Sequence, residues 1–202
     1  MARDKRSKNK VARRIGVDLG LKTNTKSLER RLSITPGQHG RKGRGKQSDY
    51  ATQLMEKQKA KAIYGVLERQ FKKYYIEASR DPLATGEVML SLLERRLDNC
   101  VYRLGFAPTR RAARQLVAHG NVQVNARKLS IPSYQVKIGD TITLSKTAQA
   151  IPYIKQALER SGHTVPNWLE RKAIVGRVLA KPARSDLTEN INDQLIVEYY
   201  SR

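Results

Sequence analysis

Residues 96 to 125 read RLDNCVYRLGFAPTRRAARQLVAHGNVQVN, and this stretch carries the strongest prediction of both structure and function. Pro108 ends an apolar segment, Thr109 is a residue type that caps helices, and Gly120 is one that ends them. Between Thr109 and Gly120, the letters RRAARQLVAH predict a short helix. The triplet VQV that follows predicts a brief strand, because valines alternate with a polar residue.

The short helix has two distinct faces. Steps of 100° per residue place its polar side chains together on one side: Arg110, Arg111, Arg114 and Gln115. Stacked guanidinium groups repel one another unless phosphates lie across them. A merely solvated charged face would carry acidic partners, but Asp140 is the only acid between residues 106 and 146. The pattern therefore favours contact with the backbone of a folded RNA, and Arg127 and Lys128 are expected to extend that contact.

The rest of the chain predicts an α+β fold: a helical first domain with a basic N-terminal arm, plus an inserted small α/β module of two helices and a short antiparallel sheet. We expect helices over 48–80, 85–105 and 151–160, strands at 134–136, 141–144 and 195–200, and a packed turn at 166–170. The predicted boundaries are a basic arm over 1–46, a mainly helical body over 47–92 and 158–202, and the module over 93–157.

Composition restricts the class of partner. The 202 residues include 40 Lys and Arg against 18 Asp and Glu, a formal net charge of +22. Such a charge calls for a strongly negative partner, while 39% hydrophobic residues are enough for a folded core. Cys100 is the single cysteine, so an internal disulfide and a four-thiolate zinc site are excluded, and we expect it to be buried. No apolar run reaches the roughly 18 to 20 residues of a membrane helix, so we expect no membrane partner.

Residues 1–46 hold over half of the excess charge, with 15 Lys and Arg against three acids. This arm has few apolar residues and is rich in glycine, so we expect it to become ordered on a polyanion. Its candidate RNA-binding residues are Arg3, Arg13, Arg14, Arg41, Lys42 and Arg44. On the long helix predicted next, lysines lie outside the apolar arc and add further candidates: Lys57, Lys61, Lys72 and Lys73.

The stretch over 96–125, followed by PSYQVKIGD at 132–140, resembles the RNA-binding module named after the S4 family of small-subunit ribosomal proteins. Motifs along practically the whole chain resemble the same family: PGQHG at 36–40, SDYATQLMEKQK at 48–59, YGVLERQF at 64–71, TGE at 85–87, WLE at 168–170 and LIVEYYS at 195–201. The resemblance implies a structural protein that binds small-subunit (16S-type) rRNA early in assembly of the subunit body and affects translational accuracy through a neighbouring ribosomal protein. It implies no catalysis, cofactor, metal or small-molecule substrate.

By motif position, the resemblance assigns RNA-binding roles to individual residues. In the first domain these are Gln38, His39, Tyr50, Gln53, Lys57 and Arg69, and in the module Arg110, Arg111, Arg114, Gln115, His119 and Asn125. The nearly neutral segment from Asp186 to Tyr200 is the expected contact with a neighbouring small-subunit protein. The expected location is the small ribosomal subunit in the cytoplasm, or in an organelle stroma or matrix if the protein is organellar.

Two features depart from that family. Ala126 replaces the usual glycine after Val-Asn, and a turn that needs a positive φ there would cost roughly 1 kcal/mol with alanine. The arm also lacks the cysteines with which some members bind zinc, so we expect no structural zinc.

Two rival functions remain at this stage. The first is an RNA-modifying enzyme, because Arg96-Leu97-Asp98 resembles the catalytic motif of pseudouridine synthases, with Asp98 as the catalytic acid. The position of Asp98 within a predicted amphipathic helix argues for an ion pair instead. The second rival is a nucleic-acid-binding repressor that is not ribosomal, since charge alone does not distinguish DNA from RNA.

Overall fold

The computed structural model describes residues 6–22, 25–40, 45–159 and 164–202. Its helices are α1 (Lys8–Ile15), α2 (Lys26–Glu29), α3 (Asp49–Tyr64), α4 (Glu68–Ala78), α5 (Thr85–Glu94), α6 (Leu97–Arg103), α7 (Arg110–Ala118), α8 (Lys146–Gln149), α9 (Pro152–Glu159) and α10 (Asp193–Tyr200). Its strands are β1 (Val122–Val124), β2 (Arg127–Lys128), β3 (Thr141–Leu144), β4 (Leu169–Lys172) and β5 (Val175–Val178). The predicted α+β class is confirmed.

The chain forms two compact units. The first comprises the described residues up to Met89 together with Glu189–Arg202, and the second is Leu90–Thr188. In the first unit, α10 and α1 both pack against α3. Phe71 and Ala60 are completely buried in this unit.

The second unit is built on a five-stranded antiparallel sheet with the order β2-β1-β3-β5-β4. One face of the sheet packs on a hydrophobic core that includes Val101 of α6, Leu116 of α7, Ile142 of β3 and Trp168. Because α7 buries one side in this core, its opposite side lies at the surface. Cys100 is buried in the same core as predicted, and burial raises the pKa of its thiol.

The single long helix predicted over 48–80 is wrong, since the structure has two helices there. Gly65 adopts a φ of 63°, and the N–H of Val66 bonds back to the carbonyl of Lys61 at 3.1 Å. This glycine-dependent C-terminal motif ends α3, and the extended Leu67 precedes α4. The apolar periodicity continues across the break, which is why the pattern indicated one helix.

The predicted helix over 85–105 is also interrupted, at Arg95 and Arg96. The backbone of Arg96 is extended, with a ψ of 136°, and it pairs with Gln135 in an isolated antiparallel β-bridge. The N–H of Leu97 donates to the carbonyl of Tyr134 at 2.9 Å. The segment over 134–136 therefore pairs with this interruption and is not the regular strand that we predicted.

The C-terminal predictions fail in two places. The expected strand over 195–200 is part of helix α10, which Asn192 caps by accepting a hydrogen bond from the N–H of Leu195 at 3.3 Å. Its β-branched and aromatic residues favour a strand locally, but packing along α3 overrides that preference. The β4–β5 hairpin was missed; it lies in the second unit, which extends to Thr188, whereas the predicted boundary assigned 158–202 to the body. The helix over 151–160 is confirmed at Pro152–Glu159, and the short strands at 122–124 and 141–144 are confirmed.

Candidate nucleic-acid interface

Helix α7 forms as predicted, with a cap at each end. The hydroxyl of Thr109 accepts a hydrogen bond from the N–H of Ala112 at 3.2 Å. At the other end Gly120 adopts a φ of 69°, and the N–H of Asn121 returns to the carbonyl of Leu116 at 3.0 Å. Ala113, Leu116 and Val117 are buried, whereas Arg111 and Gln115 are exposed, Arg110 is half-buried and the side chain of Arg114 is 14% exposed. The predicted separation of faces is confirmed.

Arg110 is held from below by side chains of α6. Its Nε donates to Oδ1 of Asn99 at 2.8 Å, and the amide of Asn99 donates in turn to the carboxylate of Glu94 at 2.8 Å. Glu94 is completely buried and receives two further bonds, both of 2.9 Å, from Arg103. The charge of Glu94 is therefore compensated inside the fold, and Asn99 links it to the surface arginine.

Arg114 lies beside a second buried acid. Its Nη1 is 3.5 Å from Oδ2 of Asp98. Arg96 also binds this carboxylate, donating from Nε to Oδ1 at 3.1 Å and from Nη2 to Oδ2 at 2.9 Å. Arg96 is completely buried and Asp98 nearly so. A carboxylate neutralised by a buried guanidinium is a structural ion pair, so the catalytic role considered for Asp98 has no support in this geometry.

The turn after β1 adjoins α7. The paired residues Val124 and Arg127 leave a two-residue loop in which Asn125 and Ala126 have φ values of 50° and 63°. The side chain of Asn125 donates to Asp140 at 2.8 Å and accepts from the N–H of Thr141 at 2.9 Å, so it braces the sheet. Ala126 therefore adopts the positive φ that a family glycine would take at lower cost, despite the strain for alanine.

Lys128 connects this hairpin to α7. The end of its side chain lies over Gly120, in the space that a Cβ at that position would fill. An ammonium group is favoured there, since the C-terminus of a helix carries partial negative charge. Both Arg127 and Lys128 are exposed, as is His119. The second unit thus brings together the predicted module residues along α7 and its adjoining hairpin.

The predicted residues of the first unit divide into several groups. Four residues lie outside the described residues: Arg3, Arg41, Lys42 and Arg44. Six are exposed: Arg14, Gln38, His39, Arg69, Lys72 and Lys73. Arg13 is half-buried, and donates from Nε to the carbonyl of Ile34 at 2.9 Å and from Nη2 to that of Thr35 at 3.2 Å. Its side chain therefore ties α1 to residues 34 and 35.

Gln53, Lys57 and Lys61, all predicted to contact RNA, are buried within the first unit. Lys57 and Lys61 donate to the two carboxylate oxygens of Glu68 at 2.8 and 2.5 Å. Gln53 donates to Glu198 at 2.9 Å. The prediction of one long helix placed both lysines outside its apolar arc, on the solvent side. The break at Gly65 instead allows Glu68 of α4 to meet them.

Tyrosines of α10 complete this buried cluster. The ammonium of Lys57 lies 4.0 Å from the ring centroid of Tyr199, and the hydroxyl of Tyr200 donates to Glu68 at 2.8 Å. Tyr50 is half exposed, with its ring 5.6 Å from that of Tyr199. Partial burial alone would raise the pKa of Glu68, but hydrogen bonds from Lys57, Lys61 and Tyr200 lower it to about 2.

The polar residues that support α7 were missed as functional residues. Glu94, Asn99, Tyr102 and Arg103 lie in a segment interpreted only as an apolar helix face. Charges of both signs inside an otherwise apolar segment were the available signal, because buried charges are retained when they are paired.

Within the described part of the chain, no three His, Cys, Asp or Glu side chains are arranged to hold a metal ion. Among the described residues, every helix is too short or too polar to cross a bilayer.

Comparisons with known proteins agree with the fold. A model of the ribosomal protein S4/S9 N-terminal domain matches residues 3–94, and a model of the S4 domain matches residues 95–142. Relatives named small ribosomal subunit protein uS4 occur in Xanthomonas campestris pv. campestris, Xanthomonas axonopodis pv. citri and Xanthomonas oryzae pv. oryzae. Each is 51% identical over 199 residues, covering 96% of both chains.

These features define a small-subunit ribosomal protein that carries an S4 domain. The chain belongs to the ribosomal protein S4 family.

Proposed function

We propose that this protein binds small-subunit rRNA, with the outer face of α7 as a principal contact. The observation that carries the proposal is the arginine face itself. Arg110 and Arg114 contact the buried acceptors Asn99 and Asp98 of α6, and Arg111 is exposed beside them. Asp140, the only acid between residues 106 and 146, is buried and bonded to Asn125 and to the N–H of Lys137. It therefore does little to neutralise the arginine surface.

Phosphate groups fit this surface better than base edges. Forked guanidinium donors match phosphate oxygens, and the deep major groove of A-form RNA hides its bases from side chains. Specificity then comes from the shape of a folded RNA that reaches α7 and the hairpin together. Gln115, His119, Arg127 and Lys128 are the further contacts that we propose on this surface, while Asn125 acts through its brace on the sheet.

The basic residues of the N-terminal region form the second part of the proposed RNA contact. The exposed residues Arg14, Gln38, His39, Arg69, Lys72 and Lys73 support it most directly, and Arg3, Arg41, Lys42 and Arg44 remain part of the prediction. Gln53, Lys57 and Lys61 instead act through the packing of α3, α4 and α10. Tyr50, half exposed beside Tyr199, remains a candidate contact.

The wider role that we propose is structural. The protein binds 16S-type rRNA early, helps to nucleate the body of the small subunit and contributes to translational accuracy through a neighbouring ribosomal protein. The segment from Asp186 to Tyr200 is the proposed protein contact, and the proposed location is the small subunit in the cytoplasm. We propose no catalytic activity, and the buried pairing of Asp98 supports this.

Competition binding tests the proposal. The protein is bound to the 5′ part of small-subunit rRNA at rising salt, with transfer RNA and duplex DNA as competitors. We expect selective binding that weakens steeply with salt and is weakened further by the combined change Arg110→Ala, Arg111→Ala and Arg114→Ala. If transfer RNA and DNA compete equally and the triple variant binds like wild type, the proposed interface is wrong.

A further inference from the structure

A buried row of hydrogen bonds lies directly beneath Arg110. Glu94 is completely buried, Asn99 is 2% exposed, and Arg110 is half-buried at the surface. The amide nitrogen of Asn99 donates to Glu94 twice, to its carboxylate at 2.8 Å and to its main-chain carbonyl at 3.0 Å. Oδ1 of Asn99 accepts from Nε of Arg110 at 2.8 Å. Asn99 is thus the link between a buried charge and a surface charge.

The orientation of the Asn99 amide is determined by its surroundings. Both groups near its nitrogen are acceptors, and the group near its oxygen is a donor. Exchanging the amide's nitrogen and oxygen would place an acceptor against acceptors and a donor against a donor. This arrangement leaves Asn99 one stable orientation, with its oxygen toward Arg110.

Tyr102 holds the same guanidinium from a second direction. The Cζ of Arg110 lies 4.5 Å from the ring centroid of Tyr102, within the range of a cation–π contact. Asn99 binds the inner edge of the guanidinium at Nε, and Tyr102 covers one of its faces. Two constraints of different direction restrict both the position and the plane of the group.

We propose that Asn99 is a positioning residue for RNA binding, which holds the Arg110 guanidinium so that its outer N–H groups meet a backbone phosphate. This inference rests on the proposed function of the α7 face. An unrestrained arginine loses considerable side-chain freedom on binding, whereas a preorganised one has already lost it during folding. The geometry also favours arginine, because a guanidinium can donate to Asn99 through Nε while its other N–H groups point in a different, fixed direction, which a lysine ammonium cannot do.

A double-mutant cycle between Asn99 and Arg110 tests the proposal, with affinity for the 5′ rRNA fragment measured at fixed salt. We expect Asn99→Leu to weaken binding by about five- to tenfold, in the range of a hydrogen bond to a charged group. Arg110→Ala should weaken it at least as much, and the double variant should bind like Arg110→Ala alone. Independent, multiplicative losses would overturn the positioning role, because Asn99 would then act without Arg110.

A general loosening of the fold is distinguished by a control. Ile154 is as completely buried as Asn99 but lies on α9, so Ile154→Val is expected to cost some stability and to leave RNA affinity unchanged. Circular dichroism melting compares the folding of the variants. If Ile154→Val weakens RNA binding as much as Asn99→Leu does, the loss reflects folding and the proposal is wrong.

A measurement on the wild-type chain applies even if Asn99→Leu does not fold. We expect the Nε–H proton of Arg110, identified by its absence in Arg110→Lys, to exchange with solvent more slowly than that of the exposed Arg177. Arg110→Lys should also bind RNA less well than wild type although its charge is kept. Equal exchange rates, or wild-type binding by Arg110→Lys, would overturn the proposal.

The two levels of inference fail in different ways. If Arg110→Ala itself has no effect on RNA affinity, the proposed α7 contact is wrong, and the binding role of Asn99 falls with it. If Arg110→Ala weakens binding but Asn99→Leu does not, the α7 contact stands and only the positioning role is overturned.

Discussion

The arginines of α7 and the lysines of α3 look alike in the sequence, but the folded chain uses them differently. Arg110 extends from a buried acceptor on α6 toward the surface and Arg111 is exposed beside it, while Arg114, 14% exposed, lies between buried Asp98 and the surface. Lys57 and Lys61 are buried and converge on one carboxylate, that of Glu68. The difference shows that the position of the acceptor decides whether a cation is directed toward the surface or enclosed within the fold.

The chemistry of the two cation types suits these two uses. A guanidinium can donate inward through Nε and still direct its planar outer edge elsewhere, as Arg110 does toward Asn99. A lysine ammonium is a compact charge that Glu68 and the ring of Tyr199 can enclose almost completely. Lys57 is therefore only 4% exposed despite its charge.

The largest expected effect is on RNA affinity, and it separates the two surfaces directly. We expect the Arg110→Ala, Arg111→Ala, Arg114→Ala variant to lose on the order of 100-fold in affinity and to reduce the salt slope by about two to three. The Lys57→Met, Lys61→Met variant should lose less than about threefold, because those ammonium groups are neutralised inside the fold. Filter binding at several salt concentrations measures both quantities, and equal losses would mean that the two clusters do not differ.

The next effect is on stability, and it tests the α3 cluster. Glu68→Gln should lower the free energy of unfolding by about 2 kcal/mol, because it leaves Lys57 and Lys61 buried without a counter-charge. This is below the cost for a fully buried pair, since the side chain of Glu68 is 44% exposed. Urea unfolding measures the change.

A matched control for Glu68→Gln is the surface pair of Glu170 and Lys172. Their charged atoms are 2.9 Å apart, but the lysine side chain is 81% exposed. Glu170→Gln should therefore change stability by less than about 0.5 kcal/mol. Similar losses in the two variants would show that Glu68 makes only a surface ion pair.

A smaller effect is expected from pH. The pKa of Glu68 is about 2 in the folded chain, below the ordinary value of 4.5 for a glutamate. Because the folded pKa is lowered, the stabilisation by Glu68 is complete above about pH 4.5 and is lost as the pH falls toward 2. The difference in stability between wild type and Glu68→Gln should therefore shrink over that range in acid titrations. A difference that stays constant from pH 6 to pH 2 would show that the charge of Glu68 does not contribute.

The same comparison explains which features could be predicted from sequence. The α7 helix is local: its cap, its end and both faces lie within residues 109 to 120, so periodicity was sufficient. The fates of Lys57 and Asn99 depend on residues in other helices, Glu68 and Glu94, which periodicity within one helix does not detect. The helical pattern across Gly65 concealed the turn that brings Glu68 to Lys57.

The local secondary-structure preference of a segment also gave wrong predictions where tertiary contacts oppose it. The segment over 195–200 is rich in strand-forming residues but becomes helical because its tyrosines meet α3 and α4. The hairpin of β4 and β5 was missed because its alternation is interrupted by charges and by Ala173, which has a φ of 51°. Both segments are short, so only a few residues are available to distinguish the period of a strand from that of a helix.

The smallest expected effect concerns Ala126, in the turn next to α7. Alanine at a φ of 63° is strained, and Ala126→Gly should raise the free energy of unfolding by about 0.5 to 1 kcal/mol after the added freedom of the unfolded chain is counted. The same change at Ala118, exposed at the end of α7, should destabilise by up to about 1 kcal/mol, since its φ is helical. Urea unfolding of the two variants should give stability changes of opposite sign if the strain is local to the turn.

Ala126→Gly should leave RNA affinity unchanged, because Asn125 still braces the hairpin through Asp140 and Thr141. A loss of RNA affinity in that variant would instead show that the rigidity of the turn, as well as the cations of α7, contributes to binding.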